Sequence, residues 1–248
     1  MNIVTKPVEY KDGRQNCVGY LAWDETFADP KPCVLVNHAW GGLDGFAQDQ
    51  AIQMAALGYV GFALDNYGDG ALPATNDEKS ALMGPLVEDR AKLLQRLKAG
   101  IKAASALEQV DADHLAAIGF CFGGLCTLDM ARAGLGLKAA ISFHGLLSKP
   151  EGAKVKTIKS KVLVAHGWDD PMVPPAQVVD FGAEMVAAKC SDWQLLGFGN
   201  TTHAFMVPEA NDKKNGLQYN ELSARRATLA SHDLLHDVFG MHGATVVS

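Results

Sequence analysis

Five consecutive residues, Gly119-Phe120-Cys121-Phe122-Gly123, restrict this chain more than any other stretch. They follow the apolar run Leu115 to Ile118 and precede Gly124 to Ala131, so a short strand is expected to turn abruptly into a helix around Cys121. A turn of this kind is a nucleophile elbow: the central residue is held at a strained backbone angle, and glycines two positions away let strand and helix pass closely. The side chain at the tip is thereby presented to a cleft. The helix beginning just after it offers a positive dipole end and unpaired N–H groups, which favour a thiolate. Cys121 is therefore the candidate nucleophile, with a buried structural cysteine at a tight turn as the alternative.

Length allows a sizeable single core: 248 residues with 48% hydrophobic and 20% charged side chains read as one globular domain, 1–248. A net charge of −6 argues against nucleic acid or an anionic membrane surface as partner. No stretch is apolar and long enough to span a bilayer, and the amino-terminal residues lack the apolar core of a signal peptide, so a cytoplasmic location is the expectation. Five cysteines without a Cys-x-x-Cys pair fit reduced thiols better than a disulfide framework or a zinc site.

Val8–Tyr10 and Cys17–Trp23 alternate around Lys11 to Arg14, which predicts an antiparallel hairpin at a sheet edge. Cys33–Val36 is a continuous apolar run suited to a strand covered on both faces, ending in Asn37-His38-Ala39-Trp40-Gly41-Gly42. A helix over Phe46–Leu57 and a strand over Tyr59–Asp65 follow. The polar, turn-rich residues from Asn66 to Met83 read as a long surface loop, and Pro85–Leu107 as one helix with Arg96 largely off its apolar stripe. Beyond the elbow, strands are expected at Ala139–Phe143, Lys161–Ala165 and Trp193–Phe198, with helices at Pro175–Ala188 and Tyr219–Phe239 and a loosely held tail, Met241–Ser248. Alternation of this kind implies an α/β fold, a mostly parallel sheet flanked by helices on both faces, with reactive groups at the carboxyl ends of the strands.

Two later segments supply an acid and a base. His166-Gly167-Trp168-Asp169-Asp170-Pro171 follows a strand, with Asp170 the preferred acid and Asp169 its competitor. His203, in Asn200-Thr201-Thr202-His203-Ala204-Phe205, follows the next strand. Nucleophile, acid and base in that chain order, each just beyond a strand, match the α/β-hydrolase arrangement.

These three segments resemble the signatures of the dienelactone hydrolase family, and the similarity runs from the Val34 strand to the last helix. The resemblance implies an α/β-hydrolase fold that cleaves esters and lactones without metal or cofactor. It assigns Cys121 as nucleophile, His203 as base, Asp170 as orienting acid, and the backbone N–H groups of Trp40 and Phe122 as an oxyanion hole. The chain departs from the family pattern where Ala39 replaces a glutamate and Val207 an arginine that holds a substrate carboxylate. A neutral or aromatic ester or lactone is therefore expected rather than a dianionic dienelactone, with His38, Trp168, Phe205 and Met206 near the substrate.

The expected chemistry is thiolate attack, a thioester intermediate and hydrolysis, with phosphotriesters as side substrates. An acyltransferase or thioesterase on the same triad is the alternative, and a non-catalytic redox-sensing or ligand-binding protein the reading from another class. A monomer or homodimer is expected. Cys126 reads as core, His144 and His166 as structural hydrogen-bonders, Asp65 as a tie for its loop, Lys213-Lys214 as a solvated turn, and His232 with His236 as a surface helix pair.

Overall fold

The strands that end at the crevice each carry an apolar run, and the structure explains this by covering both faces of one sheet. In the computed structural model, which describes residues 1–152 and 156–240, eight strands run β1 (Ile3–Asp12), β2 (Gln15–Asp24), β3 (Lys31–Asn37), β4 (Val60–Leu64), β5 (Val110–Phe120), β6 (Ala139–Phe143), β7 (Lys161–Gly167) and β8 (Trp193–Phe198). Their spatial order is β1-β2-β4-β3-β5-β6-β7-β8. The first two pairings, β1 with β2 and β2 with β4, are antiparallel, and every other pairing is parallel. The tail from Met241 lies outside the described residues.

Period-two alternation divides the core into two layers. Cys33 and Leu35 face one side with Phe62 and Ala117, under α3 (Arg90–Ser105), α4 (Phe122–Arg132) and α5 (Pro175–Ala187). Val34 and Val36 face the other with Ala63 and Ile118, under α1 (Gly45–Ala56) and α6 (Glu221–Phe239). From β3 the chain passes through α1 to β4 on one side, then returns to place β5 on the other. The crevice of such a sheet opens at that reversal, between the carboxyl ends of β3 and β5. Trp40 follows the first of these strands and Cys121 the second.

Four expectations differ from the structure. The stretch expected as loop becomes a helix from Asn76, because Thr75 and Glu78 form a capping box: Glu78 N donates to Thr75 Oγ1 at 3.2 Å and Thr75 N donates to Glu78 Oε2 at 3.0 Å. The single helix expected over Pro85–Leu107 is two, α2 (Asn76–Glu88) and α3, and the break falls at Asp89. There the carboxylate accepts from Lys92 N at 2.9 Å and starts the second helix, while Pro85 is accommodated inside the first. Finally, Asn66 and Tyr67, at the start of the expected surface loop, are buried, as is Asp65 before them. Asp65 accepts from Gly68 N, Gly70 N and Val18 N at 2.7, 2.8 and 3.0 Å, as its expected tying role requires. Arg96, expected off the apolar stripe, is buried; it donates to Asn66 O at 3.1 Å and pairs with Asp12 at 2.9 Å, joining this loop to the β1–β2 turn. A buried guanidinium is tolerated because each of these partners replaces lost water.

The elbow depends on absent side chains. A Cβ on Gly119 would collide with the Gly123 carbonyl and lie 2.6 Å from Thr127 Oγ1, and one on Gly123 would collide with the Asn37 carbonyl of β3. Gly119→Ala is therefore expected to lower the melting temperature by roughly 5 °C or more. Gly182→Ala in α5, whose Cβ would meet only the Trp193 side chain at 3.5 Å, should leave it unchanged or raise it. Thermal denaturation followed by circular dichroism compares the two.

Candidate active site

Backbone geometry lifts Cys121 out of both elements that flank it. Its φ of 54° and ψ of −116° belong to neither strand nor helix, in a region that non-glycine residues occupy at a cost of about 1–3 kcal/mol. The surroundings hold it there. Cys121 N donates to Phe143 O at 3.0 Å, its carbonyl accepts from Gly124 N at 2.9 Å, and the glycine contacts leave α4 no other path. The side chain is half-buried at the start of α4.

Asp170 and His203 converge on the same rim. Asp170 follows β7 and is 3% exposed; its Oδ1 accepts from Met172 N at 2.8 Å, leaving Oδ2 for the base. His203 Nδ1–H donates to that oxygen at 2.7 Å, with the imidazole 1% exposed. Asp169, the competing acid, is exposed and engages its loop through its own N–H, which donates to Thr201 O at 3.0 Å. With Nδ1 committed to Asp170, His203 Nε2 is the free nitrogen, and it makes no aligned hydrogen bond in this conformation. Burial opposes a charge on His203, but the nearby Cys121 sulfur and the hydrogen bond that the ring donates to Asp170 outweigh burial and raise the imidazole above its ordinary value. Such surroundings favour the imidazolium form of His203.

A small hairpin that the sequence analysis did not anticipate holds the backbone of His203. Between β9 (Asn211–Asp212) and β10 (Leu217–Gln218), Gly216 O accepts from His203 N at 2.9 Å, and Gln218 N donates to His203 O at 3.0 Å. Asn220 N then donates to Phe205 O at 3.2 Å. The signal was faint in sequence because each strand is two residues long. Lys213 and Lys214 form the exposed turn between them, as expected.

The remaining candidates divide. Trp40 is half-buried after β3; its carbonyl accepts from Tyr67 OH at 2.9 Å, and among the described residues its N–H has no acceptor. Phe122, at the first helical position of α4, has an N–H without an intrahelical partner. Trp168 is 46% exposed beside the Asp170 loop. His38 and Phe205 are fully buried, which differs from the expectation that they line a substrate pocket. His38 Nε2 accepts from Asn66 N at 3.2 Å and its Nδ1–H donates to Ala39 O at 2.6 Å, so it braces the loop beneath Trp40. Phe205 packs against Phe198 and His144 instead. Met206 also sits elsewhere than expected: with Phe46 and Tyr219 it lines a groove of about 950 Å³ whose walls include none of Cys121, Asp170 and His203.

His144 and His166 were expected to be structural hydrogen-bonders, yet both are 1% exposed and neither ring has a partner among the described residues. Each follows or ends an apolar strand, so burial came with position and brought no acceptor. Cys126 is buried in the core as expected. His232 and His236 are half-buried on α6, and no third ligand joins them among the described residues.

Sheet order, elbow and the acid and base beyond successive parallel strands define an α/β-hydrolase fold. The sequence model of the dienelactone hydrolase family matches residues 18–239, and the chain belongs to that family. Two solved structures superimpose along almost the whole chain. One, titled m3DLH, is 35% identical with a TM-score of 0.91, covering 96% of this chain and 100% of its own. The other, a dienelactone hydrolase-like promiscuous phosphotriesterase from metagenomic libraries, is 36% identical with a TM-score of 0.91, covering 97% and 100%. Among curated proteins, a "Probable 2-oxo-3-(5-oxofuran-2-ylidene)propanoate lactonase" of Bradyrhizobium sp is 28% identical over 70% of this chain and 73% of its own length. An uncharacterized protein of Caenorhabditis elegans is 36% identical over 60% and 95%.

The histidines predict a stability optimum near neutrality. Burial lowers His38, His144 and His166, so below about pH 6.5 the unfolded chain binds protons that the native state refuses, and stability falls with pH by up to about 1.4 kcal/mol per unit for each. His203 is raised and acts oppositely: its contribution is complete below about pH 6.5 and is lost as pH rises through the native value. Urea midpoints measured from about pH 5 to about pH 9 should pass through a maximum; a monotonic rise to the alkaline end would contradict the His203 assignment.

Proposed function

We propose that this chain hydrolyses carboxylic esters or lactones through Cys121, His203 and Asp170. The observation that carries the reading is the buried 2.7 Å contact from His203 Nδ1 to Asp170, with the same imidazole coupled to the sulfur of the strained elbow. Asp170 fixes the tautomer and supports the imidazolium; it need not itself accept the proton. The thiolate attacks the acyl carbon, and the carbonyl π electrons move onto oxygen. The resulting oxyanion is received by the N–H groups of Trp40 and Phe122, each lowering the barrier by about 3 kcal/mol. On collapse the C–O bond breaks, and the leaving alkoxide takes the His203 proton. Neutral His203 then removes a proton from water, whose oxygen displaces sulfur from the thioester.

Neutral or aromatic substrates fit the surroundings best. Trp40 and Trp168 offer aromatic surface near the rim, whereas Arg90, Arg96 and Arg132 are paired with carboxylates. The likeness to a promiscuous phosphotriesterase supports a second, slower activity on activated phosphotriesters, with the same sulfur attacking phosphorus. The five unpaired thiols suit a reducing compartment such as the cytoplasm.

Cys121→Ala should reduce p-nitrophenyl acetate turnover by at least about 10³-fold while leaving the melting curve near that of the parent. Protein quenched during turnover of a slow ester should carry one acyl group on Cys121 by mass spectrometry. Activity surviving the substitution, or an acyl group on another residue, would remove the nucleophile. Preferential transfer to an added alcohol or amine over water would move the assignment to an acyltransferase.

Asp170→Asn should lower kcat by about 10²-fold or more with a smaller change in KM, because the amide cannot hold the productive tautomer. Steady-state kinetics on the same ester makes the comparison.

A further inference from the structure

His144 is a buried titratable side chain beside the base that the mechanism above does not use. Two features make it costly. Its φ of 39° lies in the left-handed region, and both ring nitrogens lack partners among the described residues although the residue is 1% exposed. Its ring lies 5.4 Å from Phe205 and 6.1 Å from Phe120, centroid to centroid, so a phenylalanine would suit those neighbours without the polar penalty. What distinguishes the position is its third neighbour: the His203 ring, at 5.0 Å and 68°, edge to face.

The bond to Asp170 fixes only one corner of His203 and leaves the ring free to swing about it. His144 closes that freedom. Its own place is set by its backbone N–H, which donates to Ala165 O at 2.8 Å, and by the neighbouring Phe143 carbonyl, which accepts from Cys121 N at 3.0 Å. The residue that supports the base is thus one peptide away from the bond that supports the nucleophile.

We propose that His144 is a positioning residue for His203: its polar ring, wedged between Phe205 and the base, holds the His203 imidazole between Asp170 and Cys121. The inference rests on the triad reading above. Burial, aided by the charge on His203, keeps His144 neutral, so it presents a dipole and a lone pair rather than a competing cation. A phenyl ring at the same place would offer bulk and quadrupole without that dipole.

The test is His144→Phe in the full chain. Loss of two unsatisfied nitrogens offsets the added backbone strain of phenylalanine at this φ, so the melting temperature should stay within a few degrees of the parent, while kcat on p-nitrophenyl acetate falls about tenfold or more with KM within about twofold. The downfield proton resonance of His203 Nδ1–H should shift or broaden. A variant with parental kcat and an unmoved resonance overturns the proposal, and loss of stability together with activity overturns it in favour of simple packing. Should the phenylalanine variant fail to fold, His144→Asn decides, because asparagine tolerates the left-handed backbone yet cannot span to His203. Reduced kcat at unchanged KM then supports the assignment, and parental kcat overturns it. An inactive Cys121→Ala beside a fully active His144→Phe removes only this inference, whereas an active Cys121→Ala removes the triad itself.

Discussion

The close passage of α4 over the ends of β3 and β5 is the constraint on which everything at the site depends. Gly119 and Gly123 bring the helix so near that no Cβ can stand at either position, and Cys121 between them is left with a positive φ. Strain at one residue is affordable because it is shared with a large buried sheet, whose central strands have almost no exposed side chain. The same approach brings the Phe122 N–H and the Trp40 segment to one crevice. Cys121, Phe122 and the Trp40 segment therefore owe their placement to a single packing contact.

Around that contact, burial decides charge. Four imidazoles, His38, His144, His166 and His203, are shielded from solvent to nearly the same degree. Three are pushed toward neutrality by desolvation, and His203 alone is raised, because only it has both a carboxylate on one nitrogen and a sulfur near the other. Selectivity among chemically identical side chains thus comes from partners, not from exposure. His38 illustrates the opposite case: its two nitrogens are spent on Asn66 and Ala39, and it becomes scaffold.

The outer elements hold the crevice by ionic staples. Arg96 links the β1–β2 turn to the Asn66 loop, and Asp129 of α4 is gripped by Arg90 and Arg132, the latter also bound to Glu184 of α5. These pairs are shielded from solvent, so breaking one partner would strand a charge. They join α3, α4 and α5 into one support beneath the elbow.

Alternation of apolar runs and helical stripes was enough to read the sheet and most of the helices, because a strand covered on both faces is built mainly from apolar residues. The three site segments were legible for a related reason: glycine at fixed spacing around Cys121, and an acid and a histidine just beyond strands, are positions where backbone geometry restricts residue type. The sequence also contained the Thr75–Glu78 capping box, but polar composition masked it, and Arg96 looked like surface until its partner Asp12, 84 positions away, was in place. Pairing His203 with Asp170 and not Asp169, seating His203 on the β9–β10 hairpin, withdrawing His38 and Phe205 into the interior and setting His144 against His203 were all decided by the tertiary structure. Each depends on contacts between residues far apart in the chain, and linear spacing carries no record of which side chains meet once the sheet has formed.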